Sequence, residues 1–314
     1  MKGPILVTGA TGLLGGMCLW RWRDEPGGLA ALVREPAMLP RKAWPGVRVA
    51  MGNLMDRPSL SAAVKDIKPG LVVHCAALTK VDQCQREPDL AQPLNAEASG
   101  VLAAAASEQG ADFVYISTDA VYGAGLGPHK EDDAVGKLSV YAASKLGGEK
   151  AVAQAHPGAL ILRTCMIGWN QDPSRSSLAE WIISALRTGQ EVPGFTDVRF
   201  SPLFTASLAD MILLAAEAGL KGVYNLGSRD GLSKYETACL IAHGLGFSFD
   251  RVRPTAQSKG NLAVPRPQDP VMDSSRIYRA LNHKAPALKD EVKAFLEMER
   301  SGKLTAFRRF GGYV

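Results

Sequence analysis

The apolar run Ile5-Leu6-Val7 leads directly into Thr8-Gly9-Ala10-Thr11-Gly12-Leu13-Leu14-Gly15, and few folds place glycines at this spacing between a strand and a helix. Gly9 permits a tight turn, Gly12 lets backbone amides approach a ligand with no Cβ in the way, and Gly15 lets the helix lie close on the strand. Amides at such a helix start can hold a pyrophosphate. Taken alone, the turn could equally serve close packing. Its place at the head of a βαβ series favours a dinucleotide.

That series continues through Leu29 to Val33, Val47-Arg48-Val49, Leu71 to His74, Phe113 to Ile116 and Ala159 to Leu162. Short apolar runs alternating with helical patterns, such as Leu102 to Glu108 and Tyr141 to Ala155, predict an α/β fold: a doubly wound parallel sheet of the Rossmann type. Past Arg163 the alternation weakens. Helices are expected near Leu178 to Leu186, Leu208 to Ala218, Lys234 to His243 and Leu288 to Met298, with a strand at Val223-Tyr224-Asn225. Residues 1–165, with a return segment near 196–227, are therefore expected to form the dinucleotide-binding domain. Residues 166–195 and 228–314 would form a smaller substrate-binding lobe. Within the lobe, Pro254, Pro265, Pro267 and Pro270 mark an irregular segment.

At 314 residues and 46% hydrophobic, the chain can bury a core of this size. Its net charge of +5 is too small to imply a nucleic-acid partner, though it suits a diphosphate. Five cysteines without CxxC spacing fit a reducing cytoplasm. Met1 to Gly16 lacks the unbroken apolar core of a signal peptide, and no run approaches the roughly 20 apolar residues that span a bilayer. The expectation is a cytoplasmic protein without a membrane partner; a homodimer is allowed for.

The second strand ends Ala31-Leu32-Val33-Arg34. An NAD site commonly places a carboxylate there for the ribose hydroxyls, whereas Arg34 would meet a 2′-phosphate, so NADP(H) is preferred. Glu35 keeps NAD(H) as the alternative. Further along, Tyr141 and Lys145 lie four apart in a helical stretch, which places phenol and ammonium on one face. A nearby positive charge favours phenolate and eases proton transfer to a developing alkoxide. Such a pair is common on exposed helices, and acquires meaning here only because the Phe113 to Ile116 strand ends in Ser117-Thr118-Asp119-Ala120-Val121-Tyr122-Gly123. This brings hydroxyls to the carboxyl edge of the sheet, where ligands of open α/β folds bind.

With these motifs in this order, the chain resembles the extended short-chain dehydrogenase/reductase superfamily, and within it the dTDP-4-dehydrorhamnose reductase and sugar-nucleotide-binding branch. Supporting stretches are His74-Cys75-Ala76-Ala77 before Val81-Asp82, Tyr141-Ala142-Ala143-Ser144-Lys145, Leu162-Arg163-Thr164, and Arg266-Pro267 ahead of Met272-Asp273-Ser274-Ser275. The resemblance implies that Thr118 and Tyr141 bind the reacting oxygen, with Tyr141 as acid/base. Lys145 would hold the nicotinamide ribose. It further implies that Gly9, Thr11, Gly12, Leu13, Leu14 and Gly15 line the pyrophosphate, Asn53 and Leu54 flank the adenine, and Ala76, Ala77 and Thr79 line the nicotinamide. Asn95 would act behind these contacts. Two departures stand out: Asn53 replaces a frequent Asp, and Cys165-Met166 replaces the Ser-Trp of many rhamnose-forming relatives.

Asp119 and Arg266 are the further candidates for substrate contact. Arg163, Arg199 and Arg266 could each grip a phosphate, with an interlobe ion pair as the competing role for Arg266. His74 reads as a packed histidine, and Trp181, Phe195 and Phe200 as core. No metal is expected, because the histidines and cysteines lack ligand spacing and Glu131-Asp132-Asp133 reads as a solvated loop or helix-start cluster. The closing Phe307 to Tyr313 stretch reads as a frayed tail or contact arm.

The expected activity is NADPH-dependent reduction of a nucleotide-activated 4-keto-6-deoxy sugar. A nucleotide-sugar epimerase or dehydratase is an alternative, although dehydratases of the superfamily carry an acidic pair after the Thr and here Asp119 is followed by Ala120. A non-catalytic NADP-binding regulatory subunit is the third reading.

Overall fold

A computed structural model describes residues 3–35, 39–40, 42–123, 125–136, 138–260, 262–264 and 266–313. Pro265 of the irregular segment lies outside them. Seven parallel strands form the central sheet: β1 Ile5–Thr8, β2 Leu29–Val33, β3 Val47–Met51, β4 Leu71–His74, β5 Asp112–Ile116, β6 Leu160–Thr164 and β7 Gly222–Leu226. Their order is β7-β6-β5-β4-β1-β2-β3. Every strand of the first half lies where the apolar runs place it, and β7 contains the expected Val223 to Asn225.

The sheet reverses its winding between β1 and β4, where Ile5 to Thr8 pair in register with Leu71 to His74. Neighbouring crossovers leave in opposite directions there, so the carboxyl ends open a crevice. β1, β2, β4 and β6 are buried along their whole length, as strands covered on both faces must be. On one face pack α2 (Arg57–Ile67), α3 (Ala98–Glu108) and α4 (Val140–Ala155). α1 (Leu13–Arg21) and α5 (Thr205–Glu217) pack against each other on the opposite face. Residues 205–226 thus return from beyond β6 to complete both a helical layer and the sheet.

The remaining elements build around α6 (Leu178–Arg187), α7 (Lys234–Gly244) and α8 (Leu288–Arg300). A short parallel pair, Val192–Phe195 with Val252–Thr255, packs against α7. One apolar core runs unbroken from Val7 and Leu162 of the sheet into Ile241 and Phe295 of these helices. Continuous burial of this kind fixes the geometry of the crevice between them.

The C-terminal stretch corrects one expectation: Lys303–Phe310 is a helix, not a tail. Leu304 and Phe307 are buried, Phe307 stacks edge-on against Trp20, and Phe310 O accepts from Trp44 N. Two apolar residues three apart supply its buried stripe, a pattern too short to register without a partner surface.

Candidate active site

The turn after β1 has the geometry its glycines require. Gly9 has φ +67°, and a Cβ there would lie 2.7 Å from Ala76 N. At Gly15 a Cβ would come within 2.2 Å of Gly9 O, whereas at Gly12 the nearest atom is Gly9 O at 3.0 Å. α1 begins at Leu13 with no side-chain cap, so amides of its first turn are left for a ligand. Arg175 adds a cation that sequence reasoning missed: its Nη1 donates to Thr11 O at 3.0 Å. These features fit a pyrophosphate.

Around this cradle, Ala76 and Ala77 are partly buried after β4 and Thr79 is exposed. Their loop is tied down by Asn95, whose Oδ1 accepts from Leu78 N and whose Nδ2 donates to Leu78 O and Ser144 Oγ. Asn95 sits in the π-turn Pro93–Glu97, which swings its side chain toward the loop. Asn53 Oδ1 accepts from Met55 N, which shapes the turn after β3, and Leu54 packs against the adjoining core. Arg34 is exposed at the end of β2, its nearest carboxylate being its neighbour Glu35 at 3.5 Å. A side chain so placed is free to meet a 2′-phosphate.

His74 is the packed residue expected. Its Nδ1 shares a hydrogen bond with Thr8 Oγ1 at 2.6 Å and its Nε2 another with Ser99 Oγ at 3.0 Å. Burial, reinforced by the Lys145 charge, pushes it down to about 3 and keeps the ring neutral. Thr8 Oγ1 in turn accepts from Ala76 N, so the histidine braces the loop without reaching the crevice.

Beyond β5, Thr118 Oγ1 accepts from Ala120 N and lies 3.2 Å from Asp119 Oδ1. The same hydroxyl faces the Tyr141 phenol. Ser139 caps α4, accepting from Ala142 N, and thereby orients Tyr141 in the first turn. Burial pushes the Tyr141 phenol above its usual range, with the Asp119 charge adding to the effect and the Thr118 hydrogen bond opposing it. This reverses the expected bias toward phenolate. The Lys145 ammonium donates to Ile116 O at 2.7 Å and lies 4.0 Å over the Tyr115 ring, while burial pushes it down to about 7. Tyr141 is therefore a protonated phenol, able to donate.

A cavity of about 390 Å³ extends from Asp119 and Ala120 into the C-terminal elements. Trp181, Phe195 and Phe200, expected as core, form part of its wall; Phe200 is buried and Trp181 is 40% exposed. Arg199, Lys234 and Arg266 also border it. Arg199 is held by Asp269 at 3.1 Å, and Arg266 by Asp82 at 3.0 Å and Val264 O at 2.7 Å. Arg266 thus makes the ion pair that competed with its anion role, yet keeps donors toward the cavity.

Arg163 corrects its reading as an anion contact. Its guanidinium is buried against Glu149 at 2.8 Å and also donates to Tyr122 Oη and Glu131 O. Ser117 Oγ donates to the same carboxylate at 2.5 Å. A guanidinium buried among these partners is a brace between β6 and α4.

The doubly wound sheet, its uncapped glycine turn and the Thr118, Tyr141 and Lys145 cluster at the carboxyl edge define an extended short-chain dehydrogenase/reductase. A family profile described as RmlD substrate binding domain matches residues 1–301, and the chain belongs to that family. Relatives include methionine adenosyltransferase 2 subunit beta of Xenopus laevis, 29% identical over 281 residues, covering 87% of this chain and 81% of the relative. The probable low-salt glycan biosynthesis reductase Agl14 of Haloferax volcanii is 29% identical over 291 residues, covering 92% and 95%. Among solved structures, a dTDP-4-dehydrorhamnose reductase from Bacillus anthracis in complex with NADP superposes with a TM-score of 0.79 at 25% identity, covering 95% of this chain and 99% of that one.

Proposed function

We propose that the protein reduces the 4-keto group of a nucleoside-diphosphate 4-keto-6-deoxy sugar with NADPH. The observation that carries this reading is a protonated Tyr141 phenol facing the Thr118 hydroxyl, whose neighbour Asp119 borders a cavity large enough for a sugar. The similarity to a dTDP-4-dehydrorhamnose reductase in complex with NADP supports both the reaction class and the cofactor. Residues 1–165, with 196–227, would hold the dinucleotide. Residues 166–195 and 228–314 would hold the sugar.

NADPH, when bound, supplies the hydride. Arg34 would pair with its 2′-phosphate, and Thr11 together with the Leu13, Leu14 and Gly15 amides would bind its pyrophosphate. Thr118 donates a hydrogen bond to the sugar carbonyl oxygen, which stabilises charge as it develops. Tyr141 gives that oxygen its proton, leaving a hydroxyl on the sugar and a phenolate on the enzyme. Lys145, poised near neutrality, suits proton exchange in this site and would orient the nicotinamide ribose. Asp119 and Arg266 would contact the substrate, Arg266 through donors not used by Asp82.

A second reading is favoured by the likeness to a methionine adenosyltransferase subunit: a dinucleotide-binding partner subunit without turnover. The two separate by following absorbance at 340 nm, with NADPH or NADH and dTDP-, GDP- or UDP-4-keto-6-deoxyglucose. Oxidation of NADPH dependent on one of the sugars supports the reductase. Tight NADPH binding with no oxidation on any of them favours the subunit.

A further inference from the structure

Lys234 is a cation in a costly place. It is the first residue of α7, where the helix dipole already presents positive charge, and its side chain borders an otherwise largely apolar cavity. The backbone there is fixed: Ser233 and Glu236 form a capping box, and Lys234 N donates to Val198 O. Its ammonium lies 3.1 Å from the centre of the Phe200 ring. Among the described residues it makes no ion pair within 4.0 Å and donates no side-chain hydrogen bond. The two arginines on the same cavity each have a carboxylate, Asp269 and Asp82. Lys234 therefore stands apart as a cation with unused donors.

The facing carboxylate is Asp119. It borders the same cavity, and each of the two charges stabilises the other, although they are too far apart for direct contact. Burial raises the Asp119 carboxyl and lowers the Lys234 ammonium to about 8, so both ionise less readily than they would in water. Asp119 also lies 3.2 Å from the Thr118 hydroxyl, with the Cys165 thiol near it. A gap between an ammonium and a carboxylate that face one space matches a hydroxyl group, which accepts from the first while donating to the second.

We infer that Lys234 and Asp119 form a clamp for a free hydroxyl of the sugar, on the carbon next to the one reduced. The adjacent position follows from the chain: Asp119 directly follows Thr118, and the two side chains touch, so a group held by Asp119 lies beside the oxygen held by Thr118. Lys234 is thereby a specificity determinant for the hydroxylated sugar over its deoxy analogue. This inference rests on the cavity being the sugar site.

The test compares dTDP-4-keto-6-deoxyglucose with its 3-deoxy counterpart, using calorimetric binding to the NADP-loaded protein alongside NADPH oxidation. The parent should bind the hydroxylated sugar on the order of 10- to 100-fold more tightly, the range of a charge-assisted hydrogen bond. Lys234→Met should erase that preference while leaving NADPH affinity within about twofold, and Lys234→Gln, which keeps a donor, should restore part of it. Equal affinity of the parent for both sugars, or a preference retained in Lys234→Met, overturns the clamp. Preferential binding without turnover of either sugar ends the reductase reading and leaves the clamp standing. Turnover of both with equal efficiency does the reverse, and binding of neither ends both.

Discussion

The placement of Lys234 implies that the protein is more stable without it. Bringing the ammonium from its ordinary 10.5 to about 8 corresponds, at about 1.4 kcal/mol per pH unit, to a ceiling of roughly 3 kcal/mol against the folded state. Lys234 remains partly open to the cavity, and its replacement forfeits the contact with Phe200, worth about 1 kcal/mol. Lys234→Met should therefore stabilise the unliganded protein by about 1–2 kcal/mol, a rise in Tm of a few degrees. The pH dependence follows from the lowered folded value. Below about 8 the group is charged in both states and the penalty is complete. Between about 8 and 10.5 the unfolded chain binds more protons than the folded one, so the parent gains stability as pH rises and the variant's advantage shrinks. Thermal unfolding of both proteins at pH 7 and pH 9.5 measures this. A variant less stable than its parent at pH 7, or one with the same advantage at both values, refutes the reasoning.

Other residues carry separate predictions. Arg163→Met strips Glu149 of its buried partner and should cost about 3–5 kcal/mol by urea unfolding; Arg163→Met with Glu149→Leu should recover most of that loss. Gly15→Ala places a Cβ 2.2 Å from Gly9 O, so the turn must open, and NADPH affinity measured by fluorescence titration should fall at least about tenfold while the far-ultraviolet dichroism is retained. Arg34→Ser should weaken NADPH binding by about 10- to 100-fold and leave NADH binding nearly unchanged, since only the 2′-phosphate contact is removed.

The sheet was legible because parallel strands buried on both faces leave continuous apolar runs, and β1, β2, β4 and β6 are such runs. The glycine turn was legible for a related reason: its backbone geometry admits few other residues. Strands of two residues, such as Met166–Ile167 paired with Leu203–Phe204, carry no period to detect. Long-range pairing was equally hidden. Arg163 and Glu149 meet because β6 lies under α4, and Arg266 finds Asp82 across 184 residues. Lys234 reads in the sequence as an ordinary polar helix start. Its environment comes from Phe200, Asp119 and Cys165, three separate stretches that only the folded chain assembles.

Reduction itself is tested most directly by following the hydrogen. With NADPH carrying deuterium at the transferable position and dTDP-4-keto-6-deoxyglucose as acceptor, mass spectrometry should find one deuterium at C4 of the product sugar. Tyr141→Phe should bind NADPH as before and transfer none. No deuterium transferred by the parent, or transfer that survives Tyr141→Phe, would contradict the account.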